Sequence, residues 1–255
     1  VGATENLMMA SVFTRGVTVI RNCAKEPEIS DLQNFLNAMG ARVSGAGSSM
    51  ITVEGVERLH GVTYTPIPDR IIAGTYMIAT AMCGGNVTLD GVVPEHLSSL
   101  IAKMSKTACK VICKNDKISV RSKGRLKSLE RIDTMYYPGF PTDLQTQIMA
   151  LQTISRGTSV IAENIFETRF KTVPQLIKMG ADITVRDRTA VVRGVPGLHG
   201  AEVHATDLRG GASLVLAGLA AEGRTEVKDI YHIDRGYEDM APVLSGLGAN
   251  ITRVV

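Results

Sequence analysis

Gly16-Val17-Thr18-Val19-Ile20 opens a pattern that decides the fold. Glycine followed by a strand-forming run returns as Gly85-Asn86-Val87-Thr88-Leu89, Gly157-Thr158-Ser159-Val160-Ile161 and Gly223-Arg224-Thr225-Glu226-Val227. Gly-Ala follows three of these at Met39-Gly40-Ala41, Met179-Gly180-Ala181 and Leu247-Gly248-Ala249, where the second copy reads Lys106-Thr107-Ala108. A period of roughly seventy residues is longer than solenoid repeats and fits repeated α/β subdomains.

Each copy reads helix, strand, helix, then one or two strands. In the first, Thr4 is expected to cap an amphipathic helix from Glu5 to Arg15, and Val17–Asn22 reads as a strand. A helix from Glu26 to Met39 carries Ile29, Leu32, Phe35, Leu36 and Met39 on one stripe. Gly40 ends it, and a hairpin over Arg42–Ser44 and Met50–Glu54 turns at Gly45-Ala46-Gly47-Ser48. The other copies open at Pro68-Asp69-Arg70, Pro141-Thr142-Asp143 and Thr206-Asp207-Leu208-Arg209. In the last, a helix Arg235–Leu247 and a strand Asn250–Val254 are predicted, and no final hairpin strand follows. The opening Val1-Gly2-Ala3-Thr4 runs straight into a helix, so the chain reads as part of something longer.

Composition narrows the function. Hydrophobic residues make up 44% of the 255, enough for a sizeable core. No apolar run reaches membrane-spanning length, and no charged start precedes an apolar stretch as in a secretory leader. Net charge is +3, aromatics are 4% and Trp is absent. With few stacking platforms, the basic cluster Arg121–Arg131 reads as a solvated strand-loop face rather than a nucleic-acid site. Cys23, Cys83, Cys109 and Cys113 lack zinc spacing and read as buried thiols of a reducing cytoplasm.

Asp at or beside three of the helix starts has a plain explanation as a cap, which suffices at Asp69. Repeats about a pseudo-axis, however, bring equivalent helix N-termini to one face and make an anion site, strengthened by Arg70 and Arg209. In Phe140-Pro141-Thr142-Asp143, Asp143 falls in the first turn, where its carboxylate can take a proton from a substrate hydroxyl or serve as a capping acid. Arg209 and Arg235 lie at element boundaries, where guanidinium forks suit carboxylate or phosphate. His232 reads as structural.

These segments resemble the UDP-N-acetylglucosamine branch of the enolpyruvyl transferase family. The resemblance rests on Val1-Gly2-Ala3-Thr4, Ala24 to Ile29, Pro68-Asp69-Arg70-Ile71, Phe140 to Asp143, Phe166-Glu167-Thr168-Arg169-Phe170, Ala205 to Arg209 and Tyr231 to Glu238, and it runs in order through the chain. It implies an α/β fold of repeated βαβαββ units forming an inside-out α/β prism. Residues 1–65 would be the last unit of one domain and 66–255 most of a second, whose remaining strands come from the N-terminal part of the same protein. It implies transfer of the enolpyruvyl group of phosphoenolpyruvate to UDP-N-acetylglucosamine for peptidoglycan precursor synthesis, without metal or redox cofactor, nucleic acid or membrane. Asp143 would deprotonate the sugar hydroxyl and Arg209 and Arg235 would clamp phosphoenolpyruvate. Asp207 would lie beside the reacting carbon. Val1 and Gly2 would meet the UDP part, the Ile165 main chain the nucleotide sugar, and Arg169 would aid closure. The family's acid-bearing loop and its N-terminal Lys-Asn pair have no counterpart here, so this chain alone is expected to be inactive. A shikimate-phosphate transferase and a non-catalytic nucleotide-sugar binder are the alternatives.

Overall fold

The computed structural model describes residues 1–254. The chain forms two compact units: Val1–Pro68 with Tyr136–Gly139, and Asp69–Met135 with the chain from Phe140 onward. The short return at Tyr136–Gly139 has no signature in the sequence pattern.

The first unit contains helix α1 (Gly2–Ser11), strand β1 (Val17–Arg21), helix α2 (Pro27–Ala38), and strands β2 (Arg42–Ser44) and β3 (Met50–Glu54). The strands pair antiparallel in the order β1-β3-β2, and the predicted hairpin forms with Val43 opposite Val53. Met8, Ile29, Ile51 and Val53 are fully buried between helices and sheet. Thr4 does not cap. The helix begins earlier, at Gly2, and the buried Thr4 hydroxyl accepts the Ala24 amide at 3.0 Å.

The second unit holds the other three copies. Helix α3 (Arg70–Cys83) leads to β4 (Gly85–Leu89), a 3-10 turn and α4 (Ser98–Met104), then β5 (Lys110–Lys114), β6 (Lys117–Ser122) and β7 (Arg131–Asp133). A 3-10 turn (Thr142–Leu144) precedes α5 (Gln145–Thr153), β8 (Thr158–Ala162), a second turn (Arg169–Thr172), α6 (Val173–Lys178), β9 (Asp182–Arg186) and β10 (Thr189–Arg193). The chain continues through β11 (Leu198–His199), β12 (Glu202–His204), α7 (Leu208–Ala220), β13 (Ala221–Glu222), β14 (Glu226–Lys228), α8 (Tyr231–Asp234) and α9 (Met240–Gly246). Helices α3, α5 and α7 pack on one another, and every residue of α5 is buried. Sheets β4-β6-β5 and β7-β8-β10-β9 repeat the order of the first unit, with β7 added. Their inner faces bury Ile118, Val120, Ile161, Ala190 and Val192, while Arg121 and Arg193 face outward. This is the inside-out α/β arrangement that the resemblance implies.

A buried helix cannot leave its polar side chains without partners. Gln147 on α5 donates to the Thr75 hydroxyl at 3.2 Å and the Tyr237 hydroxyl at 3.3 Å, tying α3 and α5 to the chain beyond α8. Gln152 accepts from the Leu129 amide at 2.8 Å and the Ser159 hydroxyl at 2.7 Å. Arg125, from the basic cluster, is not simply solvated: it donates to the carbonyls of Ile154, Ser155 and Gly194 at 2.8, 2.9 and 2.8 Å, capping the end of α5.

The repeats match down to single bonds. Gly55 donates to Gly16 and Val56 to Val12, as Gly194 donates to Gly157 and Val195 to Thr153. The imidazoles of His60 and His199 lie over the positive-φ glycines Gly40 and Gly180 in the same way. One ladder position departs from this. Arg42 faces Glu54 and Asp182 faces Arg193 as ion pairs, whereas the equivalent Lys110 faces Arg121. Like charges directly opposed are destabilising. Lys110→Asp should therefore raise stability by roughly 0.2–1 kcal/mol at low salt, with the gain shrinking as salt is added. Urea melts of the two proteins at two ionic strengths check this; an unchanged or lower midpoint contradicts it.

The fourth copy differs from expectation. The predicted helix Arg235–Leu247 forms only as α9, a separate short helix α8 precedes it, and 250–254 forms no strand. In each other copy this segment pairs with a central strand that follows it: β2 with β3, β5 with β6, β9 with β10. No described residues supply that strand, and β12 and β14 pair alone. A groove of about 890 Å³ lies between β14 and 250–254, floored by Val215 and Leu219 of α7.

The thiols also differ from expectation. All four are free, and only Cys23 and Cys109 are buried. Cys83 closes α3 and Cys113 lies on the edge strand β5, so both reach the surface. Burial pushes the Cys109 thiol up to about 11, and desolvation raises Cys83 and Cys113 as well. None of these three is an activated nucleophile.

Candidate active site

Asp143 sits in the turn that leads into α5, introduced by Pro141 with φ −71°. Its carboxylate is 40% exposed and lies between two guanidinium groups from the turn at Arg169–Thr172 and the start of α7. Arg169 Nη2 donates to Oδ1 at 2.8 Å, and Arg209 Nη2 approaches Oδ2 at 3.5 Å.

Arg169 is 7% exposed, and its orientation is fixed on every side. Its Nε donates to the Thr142 hydroxyl at 3.2 Å, and Nη1 is 3.9 Å from Asp207 Oδ1. Its Cζ lies 4.5 Å from the centroid of the Phe166 ring, within cation–π range. Asp207 caps α7 by accepting the Arg209 and Gly210 amides, each at 3.0 Å. The Arg209 carbonyl accepts from the Thr146 hydroxyl at 2.9 Å, and its guanidinium stands 5.9 Å from the Tyr237 ring centroid. Its other N–H groups have no partner among the described residues and remain open to an anion.

The structure thus brings together Asp143, Arg169, Asp207 and Arg209, which the sequence separates by up to 66 positions. Ile165 lies in the adjoining turn, its amide held by Glu163 at 2.9 Å. Arg235 follows α8, is exposed, and makes no ion pair with this group. Val1 and Gly2 belong to the first unit, at the start of α1, with Val1 53% exposed. The His232 ring lies 4.2 Å from that of Tyr231. No cluster of three or more His, Cys, Asp or Glu suited to a metal occurs among the described residues, and no helix there is long and apolar enough to cross a membrane. Glu163, the bonds that Thr142 makes to Glu163 and Arg169 in place of a cap, and the Tyr237–Gln147–Thr75 network escaped the sequence reading. Their partners lie far along the chain, and only the paired Leu59-His60-Gly61 and Leu198-His199-Gly200 left a repeat signal that could have been found.

The half-exposed Asp143 carboxylate, held between two guanidinium groups, stands on a helix-centred, sheet-coated α/β unit, and solved structures place that unit in the enolpyruvyl transferase class. The enolpyruvyl transferase NikO from Streptomyces tendae superposes with a TM-score of 0.89 at 28% identity, covering 98% of this chain and 60% of that one. An EPSP synthase from Acinetobacter baumannii shares the fold, with a TM-score of 0.71 at 19% identity over 97% of this chain and 60% of that one. Residues 1–244 match the family profile described as EPSP synthase (3-phosphoshikimate 1-carboxyvinyltransferase), and the chain belongs to that family. Its curated relatives include UDP-N-acetylglucosamine 1-carboxyvinyltransferase 1 of Caldanaerobacter subterraneus subsp. tengcongensis, 56% identical over 99% of this chain and 61% of the relative. The UDP-N-acetylglucosamine 1-carboxyvinyltransferase of Myxococcus xanthus is 53% identical over 99% of this chain and 60% of that protein. The chain therefore spans about three fifths of the length of these relatives.

Proposed function

We propose that this chain supplies most of the catalytic cleft of a transferase moving the enolpyruvyl group of phosphoenolpyruvate to the 3′-hydroxyl of UDP-N-acetylglucosamine, with release of phosphate. The product would enter peptidoglycan synthesis. The observation that carries the reading is Asp143 held between Arg169 and Arg209, an acid and two forks drawn from two successive repeats.

In this reading Asp143 accepts the proton of the 3′-hydroxyl as its oxygen bonds to the central carbon of phosphoenolpyruvate. The methylene carbon gains a proton, giving a tetrahedral ketal. Loss of a methyl proton and departure of phosphate then restore the vinyl group. Arg209, joined by Arg235, holds the phosphate and carboxylate and offsets their charge. Asp207 fixes the amide end of α7 beside the reacting carbon. The Ile165 main chain meets the nucleotide sugar. The proton donor to the methylene carbon has no candidate among these residues, so the chain by itself is expected not to turn over. The remaining length of the protein is proposed to supply that donor, the rest of the first domain, and a strand for the groove beside β14.

Phosphate release by the complete protein tests this. It should need both phosphoenolpyruvate and UDP-N-acetylglucosamine, and the 255-residue chain alone should release none. Turnover with shikimate 3-phosphate instead would assign the other branch of the family. Tight nucleotide-sugar binding without phosphate release would assign a non-catalytic binder.

A further inference from the structure

Glu163 follows β8 with only 1% of its surface exposed, and no cation contacts it among the described residues. Burying a carboxylate without a counter-charge is costly unless donors fill its lone pairs. Four donors do so. Oε1 accepts from the Thr134 hydroxyl at 2.8 Å and from the Ile165 and Phe166 amides at 2.9 and 2.8 Å. Oε2 accepts from the Thr142 hydroxyl at 3.0 Å. Two of these donors form the turn at Ile165, and a third is the neighbour of Asp143.

The Thr142 bond has a fixed direction. An ionised carboxylate only accepts, so the single Thr142 hydroxyl hydrogen goes to Glu163 and the lone pairs face elsewhere. Arg169 Nε donates to that same oxygen at 3.2 Å, and its Nη2 then meets Asp143 at 2.8 Å. The sense of the run from Glu163 through Thr142 and Arg169 to Asp143 is set at its buried end. A glutamine at 163 could still accept from the turn amides, but its NH₂ would face Thr142 and reverse the bond.

We propose that Glu163 is a positioning residue that locks the Ile165–Phe166 turn to the orientation of Asp143, so that seating the nucleotide sugar and aiming the base are one event. This rests on the transfer reaction proposed above. In the complete protein, Glu163→Gln should lower kcat/KM for UDP-N-acetylglucosamine about tenfold or more, with the KM for phosphoenolpyruvate changing less than about twofold. Thr142→Val should reproduce the loss, and Thr142→Ser, which keeps the hydroxyl, should restore most of the activity. Unchanged kinetics in Glu163→Gln and Thr142→Val, whatever their melting temperatures, overturn the proposal. So does a loss in Glu163→Gln that Thr142→Val does not share, because the link through Thr142 is then idle. Should Glu163→Gln fail to fold, the two Thr142 variants decide. Wild-type protein that fails to turn over removes the transfer reading and this proposal together. Wild-type turnover with unaffected variants removes only the positioning role.

Discussion

Asp143→Asn in the complete protein should lower kcat by about 10²–10⁴-fold while nucleotide-sugar binding, read by calorimetry, changes far less. The substitution keeps the shape of the side chain and removes its capacity to take a proton. Its amide oxygen can still accept from Arg169, which approaches at 2.8 Å, so the cleft should keep its form. The Arg209 contact, longer at 3.5 Å, gives up little geometry when the charge goes. A kcat within threefold of wild type would deny Asp143 the role of base.

Gly194→Ala should destabilise the second unit strongly, by about 3 kcal/mol or more. A Cβ built there lies 1.7 Å from the carbonyl oxygen of Ser155, with no flexible side chain to yield. Gly194 also donates to Gly157 at 2.9 Å and accepts from Arg125 at 2.8 Å, so its backbone cannot retreat without breaking both bonds. Gly197→Ala is the control, because its Cβ meets nothing within 4 Å. A denaturant midpoint for Gly194→Ala equal to that of the control would refute the packing account. The matching Gly55→Ala, 1.7 Å from the Thr14 carbonyl oxygen, should harm the first unit likewise.

The sequence made legible whatever depends on local spacing. The hairpin β2–β3 was readable because alternating residues flank a glycine turn. The Asp69 and Asp207 caps were readable because their acceptor and donors lie within three positions. The meeting of Asp143 with Arg209 followed from repeat symmetry, which places equivalent helix starts on one face. Arg235 entered by family resemblance, and the group around Asp143 forms without an ion pair to it. Thr4 was misread because capping residues are alike in sequence whether they sit at a helix start or inside it. Glu163 and Arg125 were out of reach, since their partners lie up to 29 and 69 positions away. Strand 250–254 failed because β-propensity names a residue that can pair, not one that has a neighbour to pair with.

The open side of β14 has a consequence for handling the 255-residue chain by itself. One flank of Glu226–Lys228 meets β12, and the other opens on the groove. Amides on the open flank should trade hydrogen for deuterium faster than the matching ones of Thr158–Ala162, which are enclosed by β7 and β10. The same ledge is a ready template for donor-strand complementation. A short peptide alternating apolar and polar residues, added during refolding, would fill it in trans, and without such a guest the ledge invites self-association.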